Sequence, residues 1–291
     1  MHAAPVVPLD LLCASGTSYF GAPAVPYVPG VQGVGVVEES SRFPAGTRVW
    51  FATSAGMAPG DGSLAERASV ADDDLVPVTA NVPDEALAAL GLSAVAAWMA
   101  LTWRGRLRPG ERVLVLGGGG AVGQTAIGAA KALGAGRVVA VCRSEAARDR
   151  AQKAGADTVL PLVHDVEALA HSMQEAAGAV DLVVDPVFGA AATAASQVLA
   201  EGGRLINLGG ASGDVAQFSS AVLRSRTAEV LGYTNNALSV EQRRQAIDAV
   251  AEHAAAGRLA VDHETLPLTD IHTGWRRQAS GDAVVRLVFV P

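Results

Sequence analysis

The chain has 291 residues, half of them hydrophobic by type, which is enough for one large domain or two ordinary ones around a substantial core. A net charge of −7, with no Lys/Arg cluster interleaved with aromatics, excludes a basic nucleic-acid footprint. The two cysteines, Cys13 and Cys142, lie far apart and outside any Cys-x-x-Cys pair, which excludes a disulfide framework and a cysteine-rich zinc site; a reducing cytoplasm is the expected setting.

At the N-terminus no basic stretch precedes an apolar core, and the Ala-rich runs elsewhere are interrupted by Gly or charge, so neither a signal peptide nor a membrane helix is expected. Up to about residue 80, Pro and Gly are frequent, and alternating runs over 34–38, 47–51 and 64–70 predict a small β-rich unit. Pro83-Asp84-Glu85 then opens a long apolar helical pattern through Trp98 to Trp103. From 111 to 235, Val/Leu-rich runs alternate with amphipathic Ala-rich stretches. They predict strands over 112–116, 137–141, 158–160, 182–185, 204–208 and 229–232, with helices over 122–133, 144–153, 166–176 and 190–199. Six strands at this spacing predict an α/β fold with a doubly wound parallel sheet. A further helix over 240–256 and a closing strand over 286–290 complete the chain. The expected organisation is a small domain over 1–82, a bridging helix and dinucleotide-binding domain over 83–235, and a tail over 236–291 that adds a last helix to that domain and returns to the first.

The most informative run is Arg112-Val-Leu-Val-Leu-Gly-Gly-Gly-Gly-Ala-Val-Gly123, an apolar strand ending in glycines and opening a helix. It reads as the phosphate-binding turn of a dinucleotide fold. Gly117 allows the sharp turn, Gly120 lets backbone amides approach a pyrophosphate, and Gly123 lets the helix pack closely on the sheet. An anion there meets the first helical turn, Ala121 and Val122 included, at its positive end. The alternative is a flexible strand-to-helix loop.

Several ordered stretches resemble the medium-chain dehydrogenase/reductase superfamily, in particular its zinc-independent quinone oxidoreductase and enoyl reductase branch. They are Tyr27-Val-Pro-Gly-Val-Gln-Gly-Val-Gly-Val-Val37, Gly46-Thr-Arg-Val-Trp50, Gly62-Ser-Leu-Ala-Glu66, Leu107-Arg-Pro-Gly-Glu-Arg-Val-Leu-Val115, the glycine turn, Lys131-Ala-Leu-Gly-Ala135, Gly155-Ala-Asp157, Val184-Asp-Pro-Val-Phe-Gly189 and Gly202-Gly-Arg-Leu-Ile-Asn-Leu-Gly-Gly210. The resemblance implies a Rossmann domain and a smaller GroES-like β domain covering the cofactor. In this chain the covering domain is expected to be N-terminally truncated, because the strands that family members carry before their Pro-x-Asp segment do not precede Pro8. Asp185, Pro186 and Val187, and Leu208, Gly209 and Gly210, fall at or after strand C-termini and are candidate nicotinamide contacts; the alternative is ordinary strand-end turns.

The end of the second sheet strand, where an acidic residue would mark an NAD site, carries Cys142-Arg143-Ser144. Arg143 and Ser144 can hold a 2′-phosphate by charge-assisted hydrogen bonds, with Arg148 adding positive potential, so NADPH is the expected cofactor. The competing reading has Arg143 solvated and Glu145 on the ribose. Zinc-dependent relatives carry a ligand Cys and a ligand His where this chain has Val7 and Val31, and the six histidines show no ligand spacing, so no metal is expected. The resemblance then implies hydride transfer to a quinone or an α,β-unsaturated carbonyl compound without a Lewis acid. Asp10, Tyr19, Tyr27, Tyr233 and Asn235 are candidate pocket residues, and no single acid or base stands out. A homodimer through the sheet edge at 229–234 is expected. The second functional reading is a nucleotide-binding sensor or partner protein that lost catalysis; a zinc-type alcohol dehydrogenase is the third.

Overall fold

The computed structural model describes all residues, Met1–Pro291. They form two compact units: Met1–Leu92 with Ser239–Ala255 and Val261–Pro291, and Ser93–Leu238 with Ala256–Ala260.

In the first unit, β1 (Ala4–Val6) leads into α1 (Pro8–Ser15), which has Pro at its first turn and ends at Gly16 in the left-handed region, φ 69°. An antiparallel sheet follows, with β2 (Gln32–Val36), β3 (Arg48–Ala52) and β4 (Leu75–Pro77) adjacent in chain order. Its buried side includes Val34 and Trp50. The strand expected over 64–70 does not form. The amides of Gly62, Ser63 and Leu64 instead donate to the carbonyls of Val28, Gly30 and Pro29, and Leu75–Pro77 takes the open edge of β3.

The helix α2 (Asp84–Met99) starts where the sequence places it but is not continuous. At Gly91 the backbone takes φ 37° and ψ −133°, and the Leu92 amide donates 2.5 Å to Oε1 of the fully buried Gln32. A broken helix leaves amides without their i−4 carbonyl, and a side-chain oxygen compensates one of them here. A π-helical turn, Ala100–Arg104, continues α2. The stretch Asp84–Arg104 is long and apolar enough in composition to cross a membrane, but most of it is buried within the protein.

The second unit alternates strand and helix: β5 (Arg112–Leu116), α3 (Ala121–Ala132), β6 (Arg137–Cys142), α4 (Glu145–Lys153), β7 (Thr158–Pro161), α5 (Val166–Ala177), β8 (Val180–Asp185), α6 (Gly189–Ser196), β9 (Leu199–Asn207), α7 (Ser220–Ser225) and β10 (Glu229–Gly232). The six strands are parallel in the order β10-β9-β8-β5-β6-β7. This is the doubly wound Rossmann sheet, and its central strands are near-continuous apolar runs because both faces are covered. Leu114, Leu116, Val139, Val141, Val183 and Leu205 pack with Leu169 and Met173 of α5 in one core. Each such fully buried side chain stabilises the fold by roughly 1.5–3 kcal/mol.

The remaining elements are α8 (Val240–Ala255), β11 (His263–Pro267), α9 (Ile271–Ser280) and β12 (Arg286–Val290). Strand β12 lies between β1, antiparallel, and β11, parallel, and Leu287 and Phe289 pack with Ala4, Val6 and Leu64. Helix α8 corrects the expected organisation: it belongs to the first unit rather than closing the Rossmann domain. Arg243 on α8 pairs with Asp74, just before β4, which helps to hold it there.

Candidate functional site: the strand ends of the parallel sheet

The order of strands puts the C-terminal ends of β9, β8, β5 and β6 side by side, with the change of winding direction between β8 and β5. Ligands of such sheets bind outside the strand ends at that switch point. Four of the sequence-named groups fall on these four ends in succession: Leu208, Gly209 and Gly210 after β9; Asp185, Pro186 and Val187 at β8; Gly117 to Gly123 after β5; and Arg143, Ser144 and Arg148 after β6.

At β5 the three glycine roles separate clearly. Gly117 has φ +66°, and a Cβ on it would stand 2.8 Å from Val187. Gly123 lies against the backbone of Gly117 and Gly118, so any side chain there would collide with main chain. Gly120, which is exposed, has only the Gly117 carbonyl at 3.5 Å from its would-be Cβ. Its bareness is therefore not demanded by packing and leaves an open approach to α3. No side chain caps α3 at Gly120. The first-turn amides, those of Ala121 and Val122 among them, are thus available to an anion at the positive helix end. The residues present fit a dinucleotide pyrophosphate.

The β8 and β9 ends are fastened together. The Leu208 amide donates to the Asp185 carbonyl at 2.8 Å, Ala211 to Pro186 at 3.4 Å and Ser212 to Val187 at 2.7 Å. The fully buried carboxylate of Asp185 accepts from the Val187 and Phe188 amides at 3.0 and 2.8 Å, shaping the turn that carries Pro186 and Val187. Burial raises its pKa despite those two amides. Asp185 is thus a turn organiser rather than an exposed ligand group.

On the β6 side, Arg143 and Ser144 are exposed and Arg148 is half-buried; neither arginine is engaged in an ion pair. The Ser144 hydroxyl accepts from the Ala147 amide at 3.3 Å and caps α4, which still leaves its own proton to donate. The helix α4 seats on the glycine turn so closely that a Cβ on Gly119 would lie 2.5 Å from Ala147 Cα. The sequence does not single out Arg150, whose Nε donates to the Gly119 carbonyl at 2.9 Å, nor Gln124, whose Nε2 donates to the same oxygen at 3.1 Å. An arginine amid the charged residues of α4 carries no signal that sets it apart from a solvated face.

The five pocket candidates divide between the two units and play unlike parts. Tyr233 and Asn235 follow β10; the Tyr233 hydroxyl donates to Asn235 Oδ1 at 2.7 Å, its ring meets Trp103 edge-on at 6.2 Å, and burial pushes its pKa up. Tyr19 is 79% exposed and packs on Phe20. The Tyr27 hydroxyl is enclosed beside Cys13 and Gly56 without a hydrogen-bond partner. Asp10 is buried, and both its oxygens serve the backbone: Oδ2 accepts from the Val7 amide at 2.8 Å and Oδ1 from Val31 at 2.9 Å. It acts as a strut between two backbone segments, which corrects its reading as a substrate contact. Burial pushes it up to about 6 against the pull of those amides and of Arg286.

A family model described as zinc-binding dehydrogenase matches residues 121–252. The chain is 30% identical over 293 residues to a phenolphthiocerol/phthiocerol polyketide synthase component of Mycobacterium tuberculosis, across 96% of this chain and 13% of that protein. It is 29% identical to the quinone oxidoreductase of Mus musculus, across 72% of this chain and 63% of that one. The chain therefore spans less than two thirds of either curated relative. Among solved structures, a probable oxidoreductase from Mycobacterium abscessus is 30% identical, with a TM-score of 0.77, and the match covers 100% of this chain and 88% of that one.

Proposed function

Because the chain belongs to the medium-chain dehydrogenase/reductase superfamily, we propose that it is an NADPH-dependent oxidoreductase that reduces a quinone or an α,β-unsaturated carbonyl compound without zinc. The observation that carries this reading is the unbroken row of strand ends from β9 to β6, with an uncapped helix at its centre and unpaired arginines at one end.

The first turn of α3 would hold the pyrophosphate, the segments at Asp185–Val187 and Leu208–Gly210 would border the nicotinamide, and Arg143 with Arg148 would face the 2′-phosphate. When bound, the reduced nicotinamide supplies a hydride. Conjugated carbonyls and quinones suit a site of this kind because the added charge delocalises onto oxygen and solvent can supply the proton. Zinc independence is supported by Val7 and Val31, neither of which can ligate a metal, and by the absence of any converging group of three His, Cys, Asp or Glu side chains. Strand β10 is an edge of the sheet, which supports association of two copies along it.

The test is NADPH oxidation with a panel of quinones, enones and α,β-unsaturated thioesters. Turnover of at least one class, faster with NADPH than with NADH, is expected. Tight NADPH binding with no oxidation across the panel would instead mark a nucleotide-binding protein without catalysis.

A further inference from the structure

The Gly119 carbonyl is buried at the centre of the phosphate-binding turn and receives two donors, one from each flanking helix: Arg150 Nε at 2.9 Å from α4 and Gln124 Nε2 at 3.1 Å from α3. The next amide, Gly120 N–H, is fixed as well, donating to the Gly117 carbonyl at 3.0 Å. In a trans peptide the C=O and the following N–H point in opposite directions, so holding one orients the other. The peptide joining Gly119 to Gly120 is therefore clamped on both sides, and it leads into the N-cap of the helix whose first-turn amides are open.

Arg150 reaches this carbonyl because α4 presents small residues to the turn. Ala147 lies under Gly119, and the Ala151 side chain would stand 3.4 Å from a Cβ on Gly118. Arg150 lies three residues beyond Ala147 on the same helix face. A glycine-rich segment left to itself samples many backbone states, and each must be given up on binding an anion.

We propose that Arg150 is a positioning residue for the dinucleotide site: by holding the Gly119 carbonyl it pre-sets the turn so that the amides opening α3 meet a pyrophosphate without reorganisation. The proposal rests on the dinucleotide reading given above. It assigns Arg150 to the pyrophosphate, which NADH and NADPH share, and not to the 2′-phosphate that distinguishes them.

Equilibrium binding of NADPH and of NADH to the full-length protein tests this, with Arg150→Ala measured beside Arg143→Ala. The Arg150 variant is expected to weaken both cofactors by the same factor, about five- to tenfold, the usual consequence of leaving a buried carbonyl short of a donor. Its NADPH-to-NADH preference should stay that of the wild type, and hydrogen exchange should quicken at the amides of residues 118–123. Loss confined to NADPH would overturn the proposal and make Arg150 a direct 2′-phosphate contact; unchanged binding of both would overturn it as well. If Arg150→Ala does not fold, Gln124→Ala removes the other donor to the same oxygen and must weaken both cofactors in parallel, and unchanged binding there overturns the proposal. Failure of the wild-type protein to bind either cofactor would overturn the dinucleotide reading itself, an outcome distinct from all of these.

Discussion

Arg204 on β9 clasps Glu111 side by side, Nη1 to Oε1 and Nη2 to Oε2, each at 2.9 Å, and the same guanidinium also donates to the carbonyls of Gly105 and Asp181. The pair ties the segment entering β5 to the strand two places away in the sheet, and both side chains are largely buried. Burial alone would raise the Glu111 pKa, but the hydrogen bonds from Arg204 and the Arg108 amide outweigh it and hold the carboxyl below its ordinary value. Arg204→Ala should therefore cost about 3 kcal/mol in denaturant unfolding, because it strands a buried carboxylate and several carbonyls. A loss below about 1 kcal/mol would contradict this. Since the folded pKa is depressed, the pair's contribution is present above pH 4.5 and fades as pH falls through the folded value; Arg204→Ala should show a weaker acid-side slope than wild type.

Asp10 has the opposite sign. Its folded pKa, about 6, stands above the ordinary 3.8, so the folded state holds a proton that the unfolded chain has released between those values. The corresponding stabilisation is complete below pH 3.8 and is lost as pH rises through 6, by about 2–3 kcal/mol. Asp10→Asn should remove that segment of the pH–stability curve. It should also be less stable than wild type at all pH values, because one amide oxygen cannot accept in the same way from both Val7 and Val31. Identical curves for the two proteins would count against the assignment.

Gly120 and Gly123, neighbours in the same turn, should respond differently to the same added methyl group. Gly123→Ala forces a side chain into the backbone of Gly117 and Gly118, and should lower stability by about 1–3 kcal/mol or more, as in overpacked cores. Gly120→Ala meets nothing closer than 3.5 Å, so its melting temperature should match wild type while NADPH binding weakens at least tenfold. Retained affinity in Gly120→Ala would show that no ligand approaches there.

Arg143→Ala should reduce NADPH affinity roughly tenfold or more and leave NADH nearly unchanged, since a charge-assisted contact to a phosphate contributes about 1.5–3 kcal/mol. Equal weakening of both cofactors in a calorimetric titration would remove Arg143 from the 2′-phosphate. Glu145→Gln provides the complementary check, because only a ribose contact by Glu145 would make NADH the more affected cofactor.

The Rossmann sheet is legible in the sequence because its strands are short apolar runs separated by helical spacing, a pattern set by local chemistry. In the glycine turn, the sharp bend at Gly117 and the close packing at Gly123 are legible as well. What escapes depends on contacts between residues far apart in sequence. Asp10 reads as a candidate pocket residue until the Val31 amide, 21 positions on, is seen to donate to it. Gln32 gives no sign that it accepts from the Leu92 amide where α2 breaks at Gly91. The apolar face of α8, with Ala246, Ile247, Val250 and Ala251, announces burial but not which unit receives it. Arg150 is the same case at the site itself.

The switch point between β5 and β8 has a consequence for how the second unit holds together. These neighbours are joined by Val113, Leu114 and Val115 to residues nearly seventy positions later, so the seam closes only after two whole strand–helix repeats have been laid down on the far side. A dinucleotide lying across the strand ends would touch both halves and act as a staple over that seam. At one hundred times its dissociation constant it would add about 2.7 kcal/mol to the native state. The cofactor would then be part of what keeps the sheet intact, and loss of nucleotide would expose the protein to opening along that one line.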